Sequence, residues 1–333
     1  MRFAQIYLFT YAQFVISIII HEAGHLLFGL LTGYSFVSFR VFSYIWMRDG
    51  GRIVFKRRKG PFVGQCLMAP PKGEKFPFVL YNAGGGLMNF IFAAGFFAAF
   101  AACAKGSPGS RLFNAGVYIN LFMGIMNLLP FRMGGMTNDG LNIRYALESP
   151  AAARGMYIML QANYECVNGK RPRDYAEGDF ALPPDANLSN HLVAYTVLLE
   201  ADRLWDLGRA AESVALLENL PLDRLPVGYQ VAGRARALYY YLVKEPDFGR
   251  AKELYGDKRV RRFLNAKNTP AADIAAAAKY FIERDRESAL KLLDRAKARA
   301  ASSISKGTIH MNAEMIRELE KKFAEEPADP FSP

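Results

Sequence analysis

Cysteine is scarce in this chain of 333 residues, which has only Cys66, Cys103 and Cys166, all far apart. Three scattered cysteines cannot form a disulfide framework, and without a C-x-x-C pair they give no cysteine-based metal site. Histidine is nearly as scarce, with four residues in all. A histidine-based metal site would therefore have very few candidates to draw on.

Charged side chains are missing from long parts of the first half. Phe76–Ala104 and Leu112–Phe131 contain no Asp, Glu, Lys or Arg, and Phe3–Thr32 contains one acidic residue and two histidines. Each stretch has roughly 20 residues or more, the length that a helix needs to cross a hydrocarbon core of about 30 Å. The sequence predicts three membrane-spanning helices. A signal peptide is disfavoured for the first because it is long and has ionisable residues in its apolar run.

Basic residues are concentrated in the same half. Residues 1–150 carry 14 Lys+Arg and 5 Asp+Glu, against 28 and 26 in residues 151–333. Nine of the basic residues lie between the first two predicted spans, which the positive-inside bias places in the cytoplasm. Three spans then put the C-terminal half in the cytoplasm of a multi-pass cell-membrane protein. Basic residues that flank a bilayer argue against a nucleic-acid partner.

The first charge-poor stretch contains the motif H-E-x-x-H, formed by His21, Glu22 and His25. Ionisable groups are costly in hydrocarbon, so their presence in a span indicates function. Positions i and i+4 share one face of a helix, so both histidines can bind one metal ion. With a third protein ligand, Zn²⁺ keeps a position for water, and Glu22 would be the general base. The alternative is that the three side chains only pack within a helix bundle.

Asp139 is the candidate third ligand. Among the other carboxylates of residues 1–150, it alone follows directly on a predicted span, in the segment Asn127–Leu147. Pro130 and the glycines of this segment break the helix and let the backbone turn back. The alternative is that Asp139 caps a helix that begins near Leu141.

Three motifs occur in order: HEAGH in the first span, NAGGGLMNF (Asn82–Phe90) in the second, and NLLP followed by Asp-Gly after the third. In these motifs residues 5–147 resemble the site-2 protease family of intramembrane zinc metalloproteases. The resemblance implies that His21, His25 and Asp139 bind Zn²⁺ and that Glu22 is the catalytic base. It also implies a bacterial cell membrane and a substrate that is a membrane protein or membrane-bound peptide. The interval from Pro130 to Asp139 is a few residues longer than is usual in the family.

Asn89 matches the asparagine of the family's second motif. A neutral amide in lipid can hold a substrate backbone or a developing oxyanion, which makes Asn89 a candidate substrate-binding residue. The alternative is an interhelical hydrogen bond. The neighbouring glycines, Gly84–Gly86, permit close approach of another helix or of an extended substrate.

The segment Ser35–Lys59 contains two β-rich runs joined by Asp49-Gly50-Gly51, a sequence typical of a β-hairpin. A hairpin beside the site could add the substrate as a further strand. It could also lie on the lipid surface, with its basic residues facing anionic headgroups.

The polar half, residues 151–333, is predicted to be a cytosolic α-helical domain. Ala210, Ala251 and Ala289 each follow a turn between two predicted helices, at separations of 41 and 38 residues. The units resemble tetratricopeptide-like hairpins, which stack to form a surface for a protein partner. A plain helical bundle is the alternative.

The sequence thus predicts a mainly α polytopic membrane protein. Residues 1–150 form the metalloprotease domain with three core spans and a membrane-associated hairpin, and residues 151–333 form the helical domain. The predicted activity is that of a zinc endopeptidase that cleaves in or near a transmembrane segment. A non-catalytic metal-binding scaffold or receptor is the main alternative, although binding alone does not need Glu22. A zinc transporter would need polar residues at more depths of the spans than the sequence provides.

Overall fold

The computed structural model describes residues 2–57, 63–73, 77–133, 135–267 and 269–325. These residues form a mainly helical protein with a small antiparallel sheet. Contacts divide the chain into two compact units, Met1–Tyr164 and Glu165–Pro333. The boundary lies later than the predicted position 150, because the helix that begins at Pro150 packs in the first unit. In that helix the Met156 sulfur accepts a hydrogen bond from the Asn82 amide, at 3.5 Å.

The first unit contains three long helices, a four-stranded sheet, a two-stranded hairpin and two shorter helices. In chain order the elements are α1 (Arg2–Leu31), β1 (Ser35–Val41), β2 (Tyr44–Asp49), β3 (Arg52–Arg57), β4 (Gly64–Ala69), α2 (Phe78–Ala102), α3 (Pro108–Leu128), β5 (Arg132–Met133), β6 (Met136–Thr137), α4 (Asp139–Leu147) and α5 (Pro150–Val167). The charge-poor stretches account for α1, α2 and α3, which pack against one another. Ser107 caps α3 by accepting a hydrogen bond from the Ser110 amide.

Two helices among the described residues, Ala4–Leu31 and Phe78–Ala102, are long and apolar enough to cross a membrane. Both coincide with predicted spans. The third predicted span corresponds to α3, which is 21 residues long but also contains Arg111 and three asparagines. A span at α3 stays a prediction.

The four-stranded sheet has the order β3-β2-β1-β4 and is antiparallel throughout. The predicted hairpin is confirmed between β2 and β3, where Asp49 pairs with Arg52 and both turn glycines, Gly50 and Gly51, have positive φ. The prediction of two β-rich runs was incomplete, since a second tight turn at Phe42–Ser43 divides the first run into β1 and β2. The last two residues of the predicted segment, 58 and 59, lie outside the described residues.

The regular elements of the described part of the second unit are helices. They are α6 (His191–Asp206), α7 (Ala210–Glu218), α8 (Val227–Tyr239), α9 (Phe248–Gly256), α10 (Lys258–Leu264), α11 (Ala272–Phe281), α12 (Arg286–Ala301) and α13 (Ile309–Glu325). The predicted helix pairs form as α6–α7, α8–α9 and α11–α12, and Ala251 and Ala289 are fully buried. The spacing is irregular because α10 separates the second pair from the third. The likeness to tetratricopeptide repeats stays a prediction.

Candidate metal centre

The two histidines of α1 lie one helical turn apart, and both are buried in the first unit. Their Nε2 atoms are 3.1 Å from each other. The Oδ2 atom of Asp139, at the start of α4, lies 3.3 Å from Nε2 of His21 and 3.4 Å from Nε2 of His25. Asp139, 114 or more positions away from the two histidines in sequence, thus completes a nearly equilateral triangle of three ligand atoms.

The hydrogen-bond partner of Nδ1 in each imidazole determines which ring nitrogen carries the proton. Nδ1 of His25 lies 2.8 Å from the backbone oxygen of Tyr81, and Nδ1 of His21 lies 2.8 Å from Oδ1 of Asn89. Both partners are acceptors in this orientation, so each Nδ1 donates and each Nε2 keeps its lone pair for the triangle. Such outer hydrogen bonds are the usual support of histidine ligands to metals.

The triangle fits a zinc ion. Zinc binds nitrogen and oxygen at about 2.0–2.2 Å, so the ligand atoms of a tetrahedral site lie about 3.3–3.6 Å apart. The two distances to Asp139, 3.3 and 3.4 Å, fall in this range, and the 3.1 Å between the two Nε2 atoms is slightly shorter. Asp139 Oδ2 is also buried without a hydrogen-bond donor among the described residues. Three lone pairs that converge in a buried place form a group that could hold a metal ion.

Asp139 is the first residue of α4, and the cap of that helix is Asn138, whose side chain accepts a hydrogen bond from the Leu141 amide. The alternative that Asp139 caps the helix is therefore wrong, and its carboxylate is free to face the histidines. Burial by itself would raise the pKa of Asp139, but the facing imidazoles outweigh burial and hold that pKa below its usual range. Metal binding requires this carboxyl in its ionised form.

The longer interval between Pro130 and Asp139 forms the hairpin of β5 and β6. After this hairpin the Asn138 amide donates to the backbone oxygens of Met126 and Leu129, at 2.8 and 2.5 Å. These bonds fix the start of α4 on the end of α3. The additional residues therefore do not displace the carboxylate from the two histidines.

Glu22 is buried beside the triangle but is not one of its members. Its carboxylate accepts a hydrogen bond from the backbone amide of Cys66 in β4 and lies close enough to the histidines and Asp139 to interact with their charges. Gly64 of the same strand lies directly on Glu22, where a Cβ atom would meet the carboxylate. Glu22 is therefore held in place while its oxygens stay next to the candidate metal position.

Asn89 is fully buried, and its amide contacts protein groups on both sides. Oδ1 faces His21, while Nδ2 donates to the Ser17 backbone oxygen at 3.2 Å and to Oδ1 of Asn120 at 2.8 Å. These contacts favour the interhelical alternative and give Asn89 a direct role in orienting His21. A substrate contact by Asn89 stays a prediction.

Sequence reasoning missed the groups that support the site. Tyr81 and Cys66 contribute backbone atoms, which any residue could supply, so no sequence signal marks them. Asn120 and Ser17 did carry a signal, since they are polar residues in charge-poor stretches. Both side chains are fully buried, so they face inward between the helices.

Gly85 provides a test of the packing around the histidines. A Cβ atom at this position would lie 2.5 Å from His21 Cε1 and 2.6 Å from Nε2 of both histidines. Because the outer hydrogen bonds hold both rings, Gly85→Ala should displace an imidazole and lower the zinc content of the purified protein. Gly95→Ala in the same helix meets no atom within 4 Å and serves as the control. Alanine stabilises a helix by about 1 kcal/mol relative to glycine, so the exchange does not itself weaken α2. Normal zinc content in Gly85→Ala would therefore contradict the observed packing.

Comparison with known proteins gives no match: no family model, no curated protein and no solved structure resembles the chain closely enough to be matched.

Proposed function

We propose that this protein is an intramembrane zinc endopeptidase, in keeping with its resemblance to the site-2 protease family. The observation that carries the proposal is the convergence of His21, His25 and Asp139 beside a buried carboxylate that is not needed for binding. A metal-binding scaffold would require the three ligands only. Glu22 adds a group that can accept a proton, which is what hydrolysis of a peptide bond requires.

Each residue of the site has a definite part in this proposal. His21, His25 and Asp139 hold Zn²⁺, which when bound supplies Lewis-acid activation of water and of the scissile carbonyl. Glu22 takes a proton from the attacking water and returns it to the nitrogen of the broken peptide bond. The backbone amide of Cys66 keeps the Glu22 carboxylate oriented towards the site.

The distribution of side chains in α1–α3 supports placement in a membrane. Apolar side chains on the outside are strongly exposed, among them Leu8 at 62%, Phe97 at 60% and Phe122 at 62%. The polar side chains of Asn89 and Asn120 are instead fully buried between the helices. Since Phe122 belongs to α3, the same pattern supports a third span. With three spans, the basic connection between the first two and the C-terminal unit face the cytoplasm.

The edge strand β4 gives a possible path for the substrate. It pairs with β1 on one side only, and its Cys66 amide lies at the Glu22 carboxylate. At Cys66 both backbone groups are already bonded, the N–H to Glu22 and the oxygen to the Tyr81 hydroxyl, so an extended segment would add to this edge at the neighbouring residues of β4, beside the site. A transmembrane helix must unwind before its peptide bonds can be attacked, and strand pairing would hold the unwound segment. The proposed substrate is a membrane protein or membrane-bound peptide, and a protein partner of the helical second unit stays a prediction.

The other edge of the sheet carries an exposed aromatic face. Trp46 contacts Phe55, which stacks on Tyr44, and these rings are 39%, 57% and 44% exposed. The same strands carry four basic residues, Arg48, Arg52, Lys56 and Arg57. Aromatic rings beside basic side chains are typical of a surface that rests at the headgroup level of an anionic bilayer.

This lipid contact can be measured because the chain has only two tryptophans. Trp205 is buried in the second unit, so Trp205→Phe leaves Trp46 as the sole reporter. In vesicles with brominated acyl chains, Trp46 fluorescence should be quenched strongly, whereas the matched variant Trp46→Phe should leave Trp205 unquenched. Equal, weak quenching in both variants would show that the aromatic face does not contact lipid.

The test of the proposed function is a comparison of membrane proteomes. Cells that produce the wild-type protein should lack one or more intact membrane-protein precursors that accumulate in cells producing Glu22→Gln. The site of cleavage in each precursor should fall in or next to a transmembrane segment. If the two proteomes were identical at equal protein levels, peptidase function would be refuted in favour of a binding role.

A further inference from the structure

A chain of buried side-chain hydrogen bonds extends from the metal-facing histidine to α3. Oδ1 of Asn89 accepts from His21, and Nδ2 of Asn89 donates to Oδ1 of Asn120 at 2.8 Å. Nδ2 of Asn120 in turn donates to Ser17 Oγ at 2.8 Å and to the Gly116 backbone oxygen at 2.9 Å. Asn89, Asn120 and Ser17 are each 0% exposed. The chain thus joins all three long helices.

Backbone oxygens fix the direction of this chain. The Gly116 oxygen can only accept, so the Asn120 amide nitrogen must face it and the Asn120 oxygen must face Asn89. The Ser17 backbone oxygen likewise requires the nitrogen of Asn89, which leaves the Asn89 oxygen for His21. Both amides therefore have one orientation in which every contact pairs a donor with an acceptor.

We propose that Asn120 is a positioning residue that fixes the tautomer of His21 through Asn89 and thereby strengthens metal binding. Asn89 and His21 separate Asn120 from the candidate metal position, so Asn120 does not touch the metal. It acts by holding the Asn89 amide. The inference rests on the metal centre of the proposed function, not on proteolysis.

The physical reason is the cost of an unpaired polar group in a buried place. Without the Asn120 oxygen, one N–H of Asn89 would lose its acceptor, which is unfavourable for a buried group. The amide nitrogen of Asn89 would then be held only by the longer bond to the Ser17 backbone oxygen, at 3.2 Å. If the Asn89 amide rotates, its nitrogen, which is a donor, faces Nδ1 of His21. Nδ1 must then accept, so the imidazole proton moves to Nε2, the atom that faces the metal position. A protonated Nε2 cannot bind a metal ion.

The test is zinc affinity of the full chain in detergent, measured by competition with a chelator. Asn120→Leu has nearly the same volume but no acceptor, and it should weaken zinc binding by about 10-fold or more, as loss of an outer hydrogen-bond partner does. Asn114→Leu makes the same exchange in the same helix outside the hydrogen-bonded chain, and it should bind zinc as the wild type does. Bound Co²⁺ should show altered visible absorption bands in Asn120→Leu only.

A conservative variant separates hydrogen bonding from packing. Asn120→Asp keeps the shape and an oxygen that accepts from Asn89, and burial keeps its carboxyl protonated, so that the OH can donate to the Gly116 oxygen in place of the amide. This variant should retain most of the zinc affinity. If Asn120→Leu does not fold, the smaller Asn120→Ala replaces it with the same expectation. Wild-type affinity in the folded Leu or Ala variant would overturn the inference, as would an equal loss in Asn120→Asp. A wild-type protein that binds no zinc would instead overturn the proposed function.

Discussion

Glu22→Gln is expected to keep the metal and to lose peptidase activity by a factor of about 10²–10⁴, the usual contribution of a general base. Glutamine has the same shape, and its side-chain oxygen can still accept the hydrogen bond from the Cys66 amide. The three proposed ligand atoms belong to other residues, so the zinc content should stay near that of the wild type. What changes is the ability to accept a proton, since an amide cannot do so at neutral pH.

The measurement combines zinc content with cleavage of a model transmembrane substrate in detergent. The matched control is Glu148→Gln, which makes the same exchange at an exposed position at the end of α4. That variant should cleave at the wild-type rate. Substantial cleavage by Glu22→Gln with its zinc intact would assign proton transfer to another group. Loss of zinc in Glu22→Gln would mean instead that the carboxylate supports the ligands.

The three residues of the candidate metal centre could be predicted from the sequence because metal ligation requires particular residue types. The spacing of His21 and His25 defines one helix face, and a scarcity of carboxylates near the spans left Asp139 as the third candidate. Capping by Asp139 stayed open as the alternative because Asn138 and Asp139 are both good capping residues and stand side by side. The structure separates them: Asn138 accepts the amide of the helix, and Asp139 faces the histidines.

Other features could not be predicted because local sequence does not determine them. β4, which covers Glu22, has no clear alternation of polar and apolar residues, and it forms by pairing with β1 across more than 20 residues of chain. The role of Gly64 depends on that pairing, which brings it onto the Glu22 carboxylate. The orientation of Asn89 similarly depends on three helices at once. Tertiary contacts rather than propensity decide all three features.

Asp139→Asn should have the largest effect on metal binding. The exchange keeps the volume and the start of α4, which Asn138 caps independently, but it removes the negative charge that offsets that of the ion. Zinc affinity should fall by more than the about 10–100-fold that loss of an outer partner costs, since a ligand itself is removed. Peptidase activity should disappear with the metal.

The control for Asp139→Asn is Asp49→Asn, the same exchange in β2, where the carboxylate lies 3.7 Å from Lys56. That variant should keep its zinc, because a partly exposed ion pair contributes about 1 kcal/mol or less to stability and is remote from the site. Asn138→Ala is no suitable control, since Asn138 fixes α4 on the end of α3.

Asp139→Ser tests the ligand directly: serine is tolerated at the start of a helix but does not replace a carboxylate at zinc. If Asp139→Ser and Asp139→Asn both bound zinc with wild-type affinity, the third ligand would have to be another group, and the convergence of Oδ2 with the two Nε2 atoms would have no role in metal binding.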